Sequence, residues 1–133
     1  MKWNIALLLG SFHKAQVEEM LDEARKAAGE LSLNIIVEIW VPGSYEKPLA
    51  LKRLLMREDI DAAVVLGIIE RGETKHGLVM AEVVMKKIID LELEYMKPVG
   101  IGILGPEILP NQISSRLRPY AKEAVKAVKE MLF

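Results

Sequence analysis

The densest chemistry in the sequence lies in one segment, Arg71-Gly72-Glu73-Thr74-Lys75-His76. Gly72-Glu73-Thr74 opens a long helical pattern, and Thr74 has the side chain of a good N-cap. A helix start offers backbone N–H groups without intrahelical partners and the positive end of the dipole, which together bind anions. His76 falls in the first turn, beside such an anion, and a neutral imidazole moves protons near neutral pH. The spacing therefore predicts a phosphate site with a proton carrier next to it. A solvent-facing His at an ordinary helix start fits the same residues. A second segment, Pro42-Gly43-Ser44-Tyr45-Glu46-Lys47-Pro48, is a stiff turn with two prolines around a glycine. Gly43 lets the backbone approach a planar ligand closely, and Glu46 can accept hydrogen bonds from a polyol. From these residues alone the plainer reading is the stronger one: Ser44 caps a helix and Glu46 favours its positive end. Phe12 follows a strand end, where an aromatic either stacks on a planar ligand or packs over the next helix. Arg116 and Arg118 flank Leu117; Arg suits bidentate phosphate binding, although arginines at a helix end are most often solvated.

These residues need elements to hold them at one rim. Asn4 to Gly10, Leu33 to Val41, Ala62 to Ile69 and Val99 to Leu104 read as strands, and their continuous apolar runs suit parallel strands covered on both faces. Between them run helical patterns. Val17, Met20, Leu21, Ala24, Ala27 and Ala28 form one stripe from Gln16 to Gly29, where Gly29 is a plausible stop. Leu49 to Arg57 places Leu51, Leu54, Leu55 and Met56 on a helix that begins close to Pro48. From about Lys75 to Tyr95, Val79, Met80, Val83, Val84, Ile88 and Leu91 are expected to face the core. Pro98 starts the fourth strand. Pro119 cannot sit mid-helix, which predicts a short helix over Asn111 to Leu117 and a new one from about Pro119 to Leu132. Strand and helix alternating four times means a parallel sheet with helices on both faces, and ligands then bind beyond the carboxyl ends of the strands.

Composition narrows the chemistry. The 133 residues suffice for one domain, taken as residues 1–133, and 51% of them are hydrophobic. Eighteen Lys plus Arg against nineteen Asp plus Glu argue against a nucleic-acid footprint. The absence of Cys excludes thiolate metal sites and thiol nucleophiles, and two histidines, His13 and His76, make a multi-histidine metal site improbable. No apolar run approaches the roughly 18 residues of a membrane span. Ile5 to Leu9 is too short for a signal peptide's core, so the cytoplasm is the expected location. No Gly-x-x-x-x-Gly-Lys-Thr or nucleophile-elbow pattern occurs.

The same residues resemble the 6,7-dimethyl-8-ribityllumazine synthase family, most closely its short archaeal type. The resemblance runs through Val41-Pro42-Gly43-Ser44-Tyr45-Glu46-Lys47-Pro48-Leu49-Ala50, Leu66-Gly67, Arg71-Gly72-Glu73-Thr74-Lys75-His76, and the tail from Gly102 through Gly105-Pro106 to Arg116, Tyr120 and Lys122. It implies a flavodoxin-like three-layer α/β/α sandwich with a four-stranded parallel sheet. It also implies a transferase that condenses 5-amino-6-(D-ribitylamino)uracil with 3,4-dihydroxy-2-butanone 4-phosphate, releasing phosphate and water, in riboflavin biosynthesis. Neither metal nor cofactor is implied. By position, Phe12 would stack on the pyrimidine, Ser44, Tyr45 and Glu46 would line the ribityl site, and Ile69 and Glu70 would stand where the family contacts the pyrimidine. Gly72, Glu73 and Thr74 would hold the phosphate, Arg116 would pair with it, and His76 would shuttle protons. Three positions depart from the family pattern: Glu70 stands for an apolar residue, His13 for Asn, and Ile101 for an aromatic common in bacterial members. The family's site lies between subunits of a pentamer, with Ile101 and Arg116 reaching in from the next copy, and twelve pentamers can close into an icosahedral shell of sixty chains. The expected partners are thus small-molecule substrates and further copies of the chain, without nucleic acid or membrane. Two other readings compete. One is the archaeal-type riboflavin synthase of the same fold, which the Arg-Gly-Glu-Thr-Lys-His segment disfavours. The other is a flavodoxin-like or response-regulator-like binding module, against which the lack of an acidic cluster at the first strand's end argues.

Overall fold

A computed structural model describes residues 3–133. The chain alternates β1 (Trp3–Gly10), α1 (Lys14–Glu30), β2 (Leu33–Val41), a 3-10 turn (Ser44–Glu46), α2 (Lys47–Leu55), β3 (Ala62–Glu70), α3 (His76–Tyr95), β4 (Val99–Ile108), a one-turn α4 (Pro110–Ile113), a second 3-10 turn (Ser114–Arg116) and α5 (Leu117–Met131). All four strands pair in parallel, in the order β2-β1-β3-β4.

Side chains alternate across a strand, and the central strands send them into two separate cores. Ile5, Leu7 and Leu9 of β1, with Val64 and Leu66 of β3, pack against α1 and α5. Ala6 and Leu8, with Ala63 and Val65, pack against α2 and α3. This is why the strands read as unbroken apolar runs: both faces are covered, giving the three-layer α/β/α arrangement of the flavodoxin-like fold. On β4, an added Cβ at Gly100 would collide with the Ala124 carbonyl, and one at Gly102 would stand 3.3 Å from Ala124 and the Tyr120 carbonyl, so these glycines let α5 lie close on the sheet. Among the described residues no helix is long and apolar enough to cross a membrane.

The α1 stripe is buried as its periodicity predicts. Its end differs: the helix runs through Gly29 to Glu30, and Ser32, at φ 58°, makes the left-handed exit. Leu51, Leu54 and Leu55 of α2 are buried, whereas Met56 is exposed. The larger correction is on α3. Ala81, Val84, Ile88 and Leu91 face the core, but Val79 and Val83 are 53% and 48% exposed. At 100° per residue they lie opposite the buried stripe, in line with exposed Ile89 and Leu93, so α3 is apolar on two faces and one of them is uncovered. At the C-terminus, α5 starts at Leu117 and takes Pro119 into its first turn, where a missing N–H costs no helical hydrogen bond. The strand β4 extends past Leu104 to Ile108, with Arg71 N–H donating to the Ile108 carbonyl at 2.8 Å.

The strand order places the site. The chain leaves β1 for β2 on one side, then crosses back to β3 on the other. The carboxyl ends of β1 and β3 therefore border a crevice at the point where the winding reverses, and Phe12, the Ser44–Glu46 turn and the start of α3 all stand at its rim.

Candidate active site

A cleft of about 400 Å³ opens at this rim. Three loops build it. After β1 comes Phe12, 54% exposed; after β2 come Ser44, Tyr45 and Glu46; Ile69 and Glu70 end β3, and Gly72 and Thr74 follow, then His76 on α3. The mouth thus combines an aromatic face, a carboxylate beside a hydroxyl, a helix start and an imidazole. Tyr45 and His76 rings meet edge-on with centroids 6.0 Å apart, which joins the second loop to the third.

The helix start differs in detail from the expected cap. Lys75 holds the N-cap position and makes no side-chain cap bond. Thr74, one residue earlier, accepts the His76 N–H on its hydroxyl at 3.3 Å, and Val79 N–H donates to the Lys75 carbonyl at 3.0 Å. The N–H groups of Gly77 and Leu78 precede the first carbonyl four residues back, so the helix leaves them for an anion. Gly77 is one of the residues that sequence reasoning missed. An added Cβ there would stand 3.2 Å from the Glu70 carbonyl oxygen, so a small residue lets the first turn of α3 close on the end of β3. Gly105, at φ 100°, plays the same part from β4: a Cβ would collide with the Ile69 carbonyl. Both glycines hold Ile69 and Glu70 in place against the cleft.

Two departures from the family pattern prove to be one feature. His13 Nε2 meets Glu70 Oε2 at 2.8 Å. An ionised carboxylate only accepts, so Nε2 donates. His13 sits at φ 57°, in the left-handed region, and packs edge-on against Phe12 with centroids 4.3 Å apart. The pair ties the end of β3 to the loop after β1 and fixes Phe12 at the mouth.

Three expected site residues are not brought into this cleft. Glu73 is exposed outside it. Ile101 lines a different depression, with Val99, Pro119 and Tyr120, between β4 and α5. Arg116 turns back on its own segment, donating from Nη1 to the Gln112 carbonyl at 2.8 Å. Arg118 is held elsewhere still, against Glu19, Asp22 and Glu23 of α1, whose carboxylates push its guanidinium pKa up.

Below the cleft lies a residue to which no sequence signal pointed. Lys47 is 1% exposed, and its Nζ donates to Ser44 Oγ at 3.3 Å. Burial lowers its pKa to about 8. Lys47 and Ser44 are the only buried polar side chains among the described residues. No group of three or more His, Cys, Asp or Glu is arranged to hold a metal ion among the described residues.

Known proteins resemble this chain over nearly its whole length. The family model described as 6,7-dimethyl-8-ribityllumazine synthase matches residues 2–133. Curated proteins of that name are similar over nearly the whole chain: that of Staphylothermus marinus is 39% identical over 96% of this chain and 85% of its own length. That of Methanopyrus kandleri is 39% identical over 96% and 90%, and that of Picrophilus torridus 40% identical over 96% and 93%. With the strand order, the cleft and the matched segments all in place, the chain belongs to the 6,7-dimethyl-8-ribityllumazine synthase family.

Proposed function

We propose that this protein is a lumazine synthase: it condenses 5-amino-6-(D-ribitylamino)uracil with 3,4-dihydroxy-2-butanone 4-phosphate, releasing phosphate and water. The observation that carries this reading is the convergence of Phe12, Glu46 and His76 on one cleft beside the start of α3, in a chain of this family.

The chemistry follows from that arrangement. Phe12 offers a face for the pyrimidine. Ser44, Tyr45 and Glu46 line the ribityl chain, with the Glu46 carboxylate accepting its hydroxyls. Gly72 and Thr74, with the free N–H groups of the first turn of α3, receive the phosphate. The amine of the pyrimidine adds to the ketone and loses water to give an imine. A neighbouring proton is then removed as phosphate leaves, and tautomerisation and ring closure follow. His76 stands beside the phosphate position and carries protons in these steps, a role worth roughly a hundred- to ten-thousand-fold. Holding the two substrates in contact supplies the rest.

The same proposal includes assembly. In one chain, Arg116 and Ile101 lie away from the cleft, and α3 leaves Val79, Val83, Ile89 and Leu93 uncovered. A ring of copies, five in this family, covers such a face and lets Ile101 and Arg116 of one copy complete the cleft of the next. Closure of twelve pentamers into a shell is part of the family's repertoire.

Mixing the two substrates and following lumazine and phosphate formation tests the reaction. His76→Ala is expected to lower turnover about a hundredfold or more with modest change in KM. Arg116→Ala is expected to raise KM for the butanone phosphate. Dismutation of supplied lumazine without condensation of the two substrates would identify a riboflavin synthase instead. A monomer in solution with full activity would refute the shared site.

A further inference from the structure

Lys47 is placed where a lysine is costly. It is the first residue of α2, at the positive end of the helix dipole, which disfavours a cation. Its ammonium is buried with one hydrogen-bond partner and no ion-pair partner among the described residues. A niche is nevertheless built for it. Gly10 of β1 and Gly67 of β3 lie side by side on neighbouring strands, one step beyond the Leu9–Leu66 pair. An added Cβ at Gly10 would stand 3.3 Å from Nζ, and one at Gly67 would collide with it. Two glycines on adjacent strands thus leave room for the ammonium under the floor of the cleft, and the floor residue directly above it is Ser44.

The geometry points to Lys47 as a positioning residue for the cleft: its ammonium donates to Ser44 Oγ from beneath, which turns the Ser44 hydroxyl proton toward the substrate. An ammonium has three donors and no acceptor, so Ser44 must accept from it and is left with its own O–H to give. Ser44 then donates to an oxygen of the substrate's polyol chain while Glu46, two residues on, accepts from a polyol hydroxyl. Donor and acceptor stand together, which distinguishes a polyol from an alkyl chain of the same length. Once Lys47 loses its proton, its amine can accept from Ser44 as readily as donate, and the fixed polarity is lost. The elements packed around Nζ bring no competing charge: β1 presents Gly10, β3 presents Gly67, and the turn before α2 presents Ser44. Glu46, Glu70 and His76 line the cleft. They contribute nothing to the lowering of the Lys47 pKa to about 8, whose sole cause is burial.

This inference rests on the lumazine synthase reading, and a binding measurement separates the two. Calorimetric titration of the assembled protein with 5-amino-6-(D-ribitylamino)uracil, between pH 6.5 and 9.5, is expected to show affinity falling about three- to tenfold through pH 8, the range for loss of one oriented hydrogen bond. Lys47→Met is expected to bind three- to tenfold more weakly at pH 7, with no step near pH 8, and in turnover to raise KM rather than lower kcat. Ser44→Ala is expected to behave in the same way, and Lys47→Met combined with Ser44→Ala to be no worse than either alone. A pH step that persists in Ser44→Ala, or losses that add in the double variant, would overturn the role of Lys47. So would a Lys47→Met protein of altered thermal stability but native affinity and pH profile, because a purely structural lysine behaves in that way. Should Lys47→Met fail to fold, Ser44→Ala alone decides by the same step. A native protein that binds the pyrimidine but forms no lumazine would refute the proposed reaction, while the step at pH 8 would still decide Lys47. No binding of the pyrimidine at all would overturn both.

Discussion

The buried ammonium of Lys47 makes a stability prediction that needs no substrate. The perturbation is Lys47→Met, which keeps an unbranched apolar stem one atom shorter and removes the charge. Burial lowers the pKa from 10.5 to about 8, and each tenfold change in proton affinity corresponds to 1.36 kcal/mol, so the charged form costs the folded state about 3 kcal/mol. Below pH 8 both the folded and unfolded chains carry the proton and the whole cost is present. Between pH 8 and 10.5 the folded chain has released the proton while the unfolded chain still binds it. Stability therefore rises with pH across that window, and above it the cost is gone. At pH 7 Lys47→Met is expected to be about 3 kcal/mol more stable than the native chain, or about 10 °C higher in Tm for a protein of this length. The advantage should shrink toward zero near pH 10.5. Urea denaturation at fixed protomer concentration, from pH 6 to 10.5, measures the difference, and taking the difference removes every titrating group the two proteins share. A gap that stays constant with pH, or a variant less stable than the native chain at pH 7, would refute the argument that burial is the dominant influence on Lys47.

Three further outcomes follow from single contacts. Gly67→Ala drives a Cβ into the Lys47 ammonium and should cost about 2 kcal/mol in urea denaturation, with a smaller loss in a Lys47→Ala background where the niche is vacated. Gly105→Ala combines φ 100° with a collision at the Ile69 carbonyl, and should cost about 3 kcal/mol or more and abolish condensation, since Ile69 borders the cleft. The His13–Glu70 pair is three-quarters buried, and a double-mutant cycle with His13→Ala and Glu70→Ala should give a coupling of about 1 kcal/mol; additive losses would show that the contact does not tie the end of β3 to the loop after β1.

The layers of this protein are legible in its amino-acid order. Residues 5–9 and 62–66 are apolar without interruption, which only a strand covered on both faces tolerates, and the Val17–Ala28 stripe has the period of a helix with one buried side. The segments that build the cleft are legible only in part: the Gly-Glu-Thr run marks the approach to α3, yet the N-cap falls on Lys75, and the proline-glycine turn taken alone reads as a plain helix cap. Other features lie outside local reach. Val79 and Val83 are as apolar as Val84, yet only the position of the sheet decides which face of α3 is covered. Ile101 and Arg116 sit in segments that resemble the family's but lie away from the cleft, because β4 is an edge strand and α5 packs beside it. Glu70 and His13 each look like an isolated departure until parallel pairing of β1 and β3 brings their strand ends together. Lys47 is the sharpest case. Beside Pro48 in a helix's first turn, nothing in its local sequence marks it for burial. It is buried because two glycines from separate strands, neither near it in sequence, leave a space of its size. Sequence alone determines periodicity, turn chemistry and the inventory of reactive groups. Tertiary structure decides burial and pairing, because the atoms that desolvate or partner a side chain come from distant parts of the chain.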